Sequence, residues 1–383
     1  MEAPTVTVDL AALRHNLAVL RGRLRPGVAL MAAVKADAYG HGARTVVPAL
    51  AQSGVDAFGV ATAAEALALR ADGVTQPLLV FGPLRERLAE LVEAGVALTV
   101  SDAASLAAIE AAAPVTRARV HLKLDTGMGR LGGPAEGALT LARALARSRF
   151  ADLAAVWTHL ACADEPDADD PDGLTAQQLQ RFEAALASLK AAGIAVPVAH
   201  AANSAATLRL PRAHYDLVRP GLALYGHHAT PAAAALLPPD VPALRPVATV
   251  RAPVVFVKRV PRGASISYGA TWRAPRDTVV ATVRLGYADG YPRAAGNQAE
   301  AVVHGVRVPV VGRVCMDQLM IDVGALGGGV AVGDAVTLLG PDGPSAAALA
   351  ARLGTVSYEL LTHLNAPRFV REHVDREAPD TPR

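Results

Sequence analysis

Lys35 ends an apolar run, Val28-Ala29-Leu30-Met31-Ala32-Ala33-Val34, and opens a polar, turn-prone one, Ala36-Asp37-Ala38-Tyr39-Gly40-His41-Gly42. A lysine at the carboxyl end of a buried strand has its stem held by packing and its amine aimed into the space above. Desolvation there lowers the amine's pKa, and a neutral amine can attack a carbonyl to form a Schiff base. A lysine at a strand end more often simply points to water. What singles out Lys35 is the company at matching places along the chain. Later apolar runs end at Lys123 and Asp125, at His159, at His200 with Asn203-Ser204, and at Arg219-Pro220-Gly221. Titratable groups that recur at the ends of successive runs form a site pattern, which a single one would not.

The elements that must hold these groups are legible as a repeat. Short apolar runs end near Val34, Val60, Phe81, Val100, Leu124, Thr158, Ala201 and Val218, each followed by an Ala- and Leu-rich helical stretch. Eight strand–helix units predict an α/β fold, a closed (β/α)8 barrel of the TIM type, whose chemistry sits on the loops at the carboxyl ends of the strands. From Pro231 the texture changes. Pro231, Pro238, Pro239, Pro242 and Pro246 mark a linker too proline-rich for a helix or a central strand. Beyond it, β-branched runs at 254–257, 278–283, 301–303, 306–311, 319–323 and 335–339 alternate with Gly and Pro turns. Helical patterning returns at 345–353 and 357–364, and the last dozen residues are polar. The expected organisation is a barrel over 11–235 and a mostly β C-terminal domain over 236–383, joined by an N-terminal strand within 1–10.

Bulk properties narrow the function classes. At 383 residues and 52% apolar, the chain suits two domains with a sizeable core. A net charge of +2 gives no case for nucleic acid or membrane surfaces. The amino terminus does not read as a signal peptide, and no charge-free apolar run is long enough to span a bilayer. Two cysteines, Cys162 and Cys315, make no disulfide framework and fit a reducing cytoplasm. No metal is expected. The acidic run from Asp164 to Asp172 fails calcium-loop spacing and reads as a solvated loop capping the helix from Leu174. His227-His228, and His159 with Cys162, lack a second ligand pair for zinc.

Anions are the better match for the rim. Asn203-Ser204 opens a helix after the seventh strand and Arg219-Pro220-Gly221 follows the eighth, a frequent phosphate position in barrels. Ordinary N-capping explains Asn203-Ser204 equally well. A Schiff-base lysine facing a phosphate site is what pyridoxal 5'-phosphate requires, and Arg219 could then meet its ring nitrogen.

The segment from Val34 to Gly42 resembles the cofactor-lysine signature of alanine racemases. His121-Leu122-Lys123-Leu124-Asp125-Thr126-Gly127-Met128-Gly129-Arg130-Leu131-Gly132 is similar to the same family. So are Thr158-His159, Ala202-Asn203-Ser204, Val218-Arg219-Pro220-Gly221, Ser267-Tyr268-Gly269, Gly286-Tyr287-Ala288-Asp289-Gly290 and Cys315-Met316-Asp317-Gln318. The blocks keep family order over nearly the whole chain. The resemblance implies Lys35 and Tyr268 as the two proton-transfer bases of a racemase that supplies D-alanine for peptidoglycan. It implies Tyr39, Ser204, Gly221, Leu222 and Tyr358 around the cofactor phosphate, Asn203 also at the cofactor, His159 against its ring and Arg219 at its nitrogen. Arg130 and the Met316 backbone would face the alanine carboxylate, with Asp317 and Tyr287 behind them. Lys123 aligns with a lysine carbamylated in many members, which would orient Arg130. His159 and Arg219, in line with Tyr268, would supply positive charge that helps a tyrosine act as a base. A cytoplasmic, head-to-tail homodimer with shared sites is implied. The chain departs from the pattern after Tyr358. An arginine pair spaced by Val-Pro becomes Arg368-Phe369-Val370-Arg371, displaced by one residue, which bears on the last helix and its dimer contacts.

Three rivals stand beside this reading. A pyridoxal-phosphate decarboxylase of similar build would place a carboxylate at the ring nitrogen, against Arg219. A racemase for another small amino acid fits the same residues. A non-catalytic pyridoxal-phosphate carrier would be a single barrel, without the domain that holds Tyr268.

Overall fold

The computed structural model describes residues 3–327, 329–365 and 368–375; the end of the polar tail, from 376 on, lies outside the described residues. Eight parallel strands form the barrel wall: Ala29–Ala33, Ala57–Val60, Leu78–Val80, Val96–Val100, Ala118–Asp125, Ala151–Trp157, Ala199–His200 and Leu217–Val218. The last pairs back to the first, Leu217 with Ala29 and Val218 with Leu30. Between the seventh and eighth, Asp216 N donates to Ala199 O (3.0 Å) and Arg219 N to Ala202 O (2.9 Å), which closes the ring. Met31, Ala57, Leu79, Ala97 and Leu217 pack together against Phe81. That apolar layer fills the barrel interior, so any cavity must open at a rim.

Local chemistry sets the helix starts. Thr62 and Glu65 form a reciprocal cap on the helix Ala63–Ala71, and Asp102 with Ser105 does so on Ala103–Ala112. Two expectations need correction. Proline did not exclude a helix from the linker: Pro231–Ala235 is helical, with Thr230 as cap and Pro231 in the first turn, where its missing N–H has no intrahelical partner to lose. The acidic loop does not cap the helix Leu174–Ala191 with a side chain; Gly173 holds the cap position. The Arg368–Arg371 segment lies beyond the last α-helix, Ser357–Thr362, and leads into the strand Val370–Val374.

The second domain is a mostly antiparallel sheet built on a single long strand, Ala248–Val260. It pairs with Thr5–Asp9, Ala335–Leu339 and Thr278–Val283 in turn. Pro253 lies within it, next to an irregularity between Val254 and Phe256. Proline is tolerated in a strand where the ladder shifts. Thr5–Asp9 also pairs in parallel with Val370–Val374, so the two ends of the described chain meet in this sheet. Among the described residues no helix is long and apolar enough to cross a membrane.

Candidate active site

At the carboxyl rim of the barrel lies a cavity of about 410 Å³. Eleven residues expected at the site line it: Lys35, Tyr39, Lys123, Arg130, His159, Asn203, Ser204, Arg219, Gly221, Leu222 and Tyr358. Ala33, Ala61, Phe81, Gly82, Leu131 and Trp157 complete the wall. The volume lies within the range of small-molecule sites. Four of the lining side chains are basic and none is a carboxylate, so the cavity favours anions.

Lys35 follows the first strand and begins a turn of unusual hand. Ala36, Asp37, Ala38 and Tyr39 all have positive φ, from 52° to 55°. Such left-handed backbone costs an L-residue roughly 1–2 kcal/mol, so surrounding contacts must hold it. Glu65 Oε1 accepts from Ala36 N (2.6 Å), and Asp37 Oδ1 accepts from Ala43 N (2.7 Å). Burial, then the charge of Arg130, lowers the Lys35 amine below its ordinary range, and Glu65 opposes them. The direction favours a nucleophilic amine.

The turn returns Tyr39 to the cavity, stacked on Tyr225 with ring centres 5.0 Å apart. Its hydroxyl meets the backbone after the eighth strand so closely that a Cβ on Gly221 would lie 2.5 Å from Tyr39 Oη. Ser204 Oγ accepts from Gly221 N (2.9 Å) and Ala223 N (3.2 Å). Tyr358 stands with its ring 6.1 Å from that of Tyr39. Burial raises the pKa of both tyrosines, so they remain protonated donors. Hydroxyls and small-residue backbone thus converge as an anion cradle. Asn203 takes the N-capping role, its Oδ1 accepting from Ala206 N at 3.1 Å, while its residue still lines the cavity.

Arg219 is 4% exposed and held by several hydrogen bonds. It donates to Thr158 O (2.7 Å), Ala201 O (3.0 Å) and His200 Nδ1 (2.7 Å), and its Nη2 lies 3.3 Å from His159 Nδ1. Burial pulls its pKa down to about 9, which leaves it charged at neutral pH. His159 is different. Burial, then Arg219 and further cations, pushes its pKa well below the ordinary value. That direction favours a neutral His159 ring beside the charged guanidinium, so the positive charge at this point is carried by Arg219.

Lys123 is 3% exposed and donates to Leu124 O at 2.7 Å. Its pKa falls to about 7, through burial first and the nearby Arg219 next. Trp157 joins the two cations, with the Lys123 amine and the Arg219 guanidinium carbon each 4.8 Å from a ring centre. Sequence reasoning missed Trp157, although it directly precedes Thr158-His159 at the same strand end. Asp125, read as a rim group, instead folds the loop that carries Arg130: its Oδ1 accepts from Gly127, Met128 and Gly129 N at 2.9, 2.9 and 3.1 Å.

Tyr268, Tyr287, Met316 and Asp317 do not line this cavity. They gather on the β domain. Ser267 Oγ donates to Arg313 O (2.7 Å), Tyr287 N to Cys315 O (3.0 Å) and Ala288 N to Met316 O (2.9 Å). Arg368 pairs with Asp317 (2.7 Å) and Asp289 (3.1 Å). Tyr268 is 71% exposed and Met316 54%.

A (β/α)8 barrel with a basic, hydroxyl-lined cavity at its carboxyl rim, followed by a β domain, is the architecture of a barrel enzyme. Family models place it further: the alanine racemase N-terminal domain matches residues 8–229 and the alanine racemase C-terminal domain residues 247–373. An alanine racemase of Desulfosudis oleivorans is 42% identical over 374 residues, covering 93% of each chain. Solved alanine racemases of Streptomyces lavendulae and Streptomyces coelicolor superpose with TM-scores of 0.90 and 0.89. Their identities are 36% and 40%, and each comparison covers 98% of both chains. The chain belongs to the alanine racemase family.

Proposed function

We propose that the protein interconverts L- and D-alanine with pyridoxal 5'-phosphate anchored at Lys35, in a homodimer whose β domains complete each other's sites. The observation that carries this reading is the cavity itself, which joins a pKa-lowered lysine, an anion cradle and a buried arginine. The donor set fits the cofactor. Lys35 would bond to its carbonyl carbon, and Tyr39, Ser204, Gly221, Leu222 and Tyr358 would hold its phosphate. His159 and Arg219 would stand against its ring. When bound, the cofactor withdraws electrons from the substrate and acidifies the α proton.

The chain's own groups divide the remaining work. Lys35 Nζ takes or returns the α proton on one face. Racemisation needs a base on the other face too, and Tyr268 Oη is assigned to it. Because Tyr268 is exposed and outside the cavity of its own barrel, a second copy is assigned to deliver it. Met316, Asp317 and Tyr287 would arrive with it. Arg130 would bind the alanine carboxylate. Lys123, with a pKa near 7, has a neutral amine available for carbamylation, and the anion so formed would orient Arg130. Arg219, charged at neutral pH, would face the ring nitrogen as a cation and so disfavour its protonation, which would favour racemisation over decarboxylation. The D-alanine product suits cell-wall peptidoglycan, and the unpaired cysteines suit a cytoplasmic setting. Chiral analysis after incubation with each alanine enantiomer, beside keto-acid and CO2 assays, tests the assignment. Enantiomer exchange is expected; CO2 release without it would sink the proposal.

A further inference from the structure

Arg371 belongs to the strand Val370–Val374, far from the barrel wall in sequence, yet it reaches the turn that starts at Lys35. Its Nη1 donates to Asp37 Oδ2 at 2.9 Å, and neither side chain is more than 29% exposed. The other Asp37 oxygen accepts from Ala43 N, at the start of the helix Ala43–Gln52. Two residues further along the strand, His373 Nε2 lies 3.0 Å from His41 O. Gly42 leaves room for this approach, since a Cβ there would lie 3.0 Å from Arg371 Cδ. The left-handed turn is thus gripped at Ala36 by Glu65 and at Asp37 by Arg371.

Lys35 and Tyr39 stand at the two ends of that turn, and both line the cavity. Released, Ala36, Asp37 and Ala38 would relax toward the right-handed region that L-residues prefer. Any such rotation changes the spacing between the lysine amine and the tyrosine hydroxyl. We infer that Arg371 is a positioning residue: by holding Asp37 it sets the distance between the cofactor-anchoring amine and the phosphate-facing hydroxyl. The β domain thereby tunes the site of its own barrel, apart from any residue it lends to a second copy. The inference rests on Lys35 as the cofactor anchor.

The test titrates full-length wild type, Arg371→Gln, Arg371→Lys, Asp37→Asn and the double variant Arg371→Gln/Asp37→Asn with pyridoxal 5'-phosphate. Two readouts are followed: the absorbance of bound cofactor, with its pH dependence, and the mass trapped on the Lys35 peptide by borohydride. Arg371→Gln is expected to weaken cofactor binding roughly tenfold to a hundredfold, the scale of one charge-assisted hydrogen bond, and to shift the chromophore's titration. Arg371→Lys should recover part of the loss. The double variant should bind no worse than either single one, because both changes remove the same contact. Arg352→Gln, which loses an ion pair to Glu300 elsewhere in the β domain, should cost stability without changing cofactor affinity or spectrum. Wild-type affinity and spectrum in Arg371→Gln, or additive losses in the double variant, would overturn the inference. If Arg371→Gln does not fold, Asp37→Asn decides by the same comparison. Absence of cofactor mass on Lys35 in the wild type would overturn the anchor assignment and this inference with it.

Discussion

Arg219 Nη1 donates to His200 Nδ1 across 2.7 Å. An arginine cannot accept, so His200 carries its proton on Nε2, which lies 3.0 Å from His121 Nδ1. One guanidinium therefore fixes the tautomers of two buried imidazoles in series. His200 also lies flat against Trp157, with ring centres 5.5 Å apart, so hydrogen bonding and stacking lock the same ring.

Removing that charge has a readable consequence. Burial is the larger cause of the depressed pKa at His159 and His200, and Arg219 is the next. Arg219→Gln should raise both imidazole pKa values without restoring the ordinary one, measured by imidazole NMR titration. It should also destabilise the fold by about 3 kcal/mol, since Thr158 O and Ala201 O lose buried charged donors. Unchanged imidazole titrations would show that Arg219 does not set the local field.

Lys35→Ala should abolish the visible absorbance of bound cofactor and essentially all racemisation, because anchor and base are lost together. Tyr268→Phe should keep the absorbance and lose turnover by roughly 10²–10⁴-fold, the usual scale of a positioned base. Normal racemisation by either variant would remove that residue from the mechanism.

Lys123 offers a pH test. With a pKa near 7, its amine passes from mostly charged to mostly neutral between about pH 6 and pH 8. Carbamylation consumes the neutral form, so a carbamate signal from ¹³C-labelled bicarbonate should grow over that interval and vanish in Lys123→Gln. A signal that persists in the variant would assign it to another amine.

Stability should fall in mild acid. Burial depresses His41 to about 4 and His121 and His227 to about 3. The unfolded chain binds these protons near pH 6.5, while the folded chain resists them until pH 3–4. Stability is therefore flat above pH 6.5 in this respect and declines as pH falls through the window, by on the order of a few kcal/mol between pH 7 and pH 5. Urea midpoints at both pH values check the sign. No decline would mean that these rings are protonated in the folded protein.

The barrel was readable because its strands are buried on both faces and appear as unbroken apolar runs, with the rim groups standing directly after them. Local signals failed where distant contacts decide. Nothing in Ala36-Asp37-Ala38-Tyr39 announces left-handed backbone, for no glycine occupies those four positions. The grip comes partly from Arg371, 334 residues away. Around Pro253 the sequence predicts only a short run, because proline looks like a stop unless the ladder is known to shift there. Cofactor chemistry at Lys35 could be argued from residue types, whereas the place of Tyr268 depends on a second chain.

That dependence gives the decisive mixing experiment. Lys35 lines the barrel cavity and Tyr268 is exposed on the β domain, 233 positions later. In a two-fold dimer with shared sites, each site takes Lys35 from one chain and Tyr268 from the other. Combine Lys35→Ala chains with Tyr268→Phe chains under conditions that exchange subunits. Every mixed dimer then has one doubly defective site and one intact site. With equal amounts and random exchange half of the dimers are mixed, so activity should recover to about a quarter of wild type from two inactive parents. If each chain builds its whole site, every site keeps a defect and mixing restores nothing. Proven exchange, shown by native mass spectrometry, without recovery would refute the shared site while leaving Lys35 and its cavity as assigned.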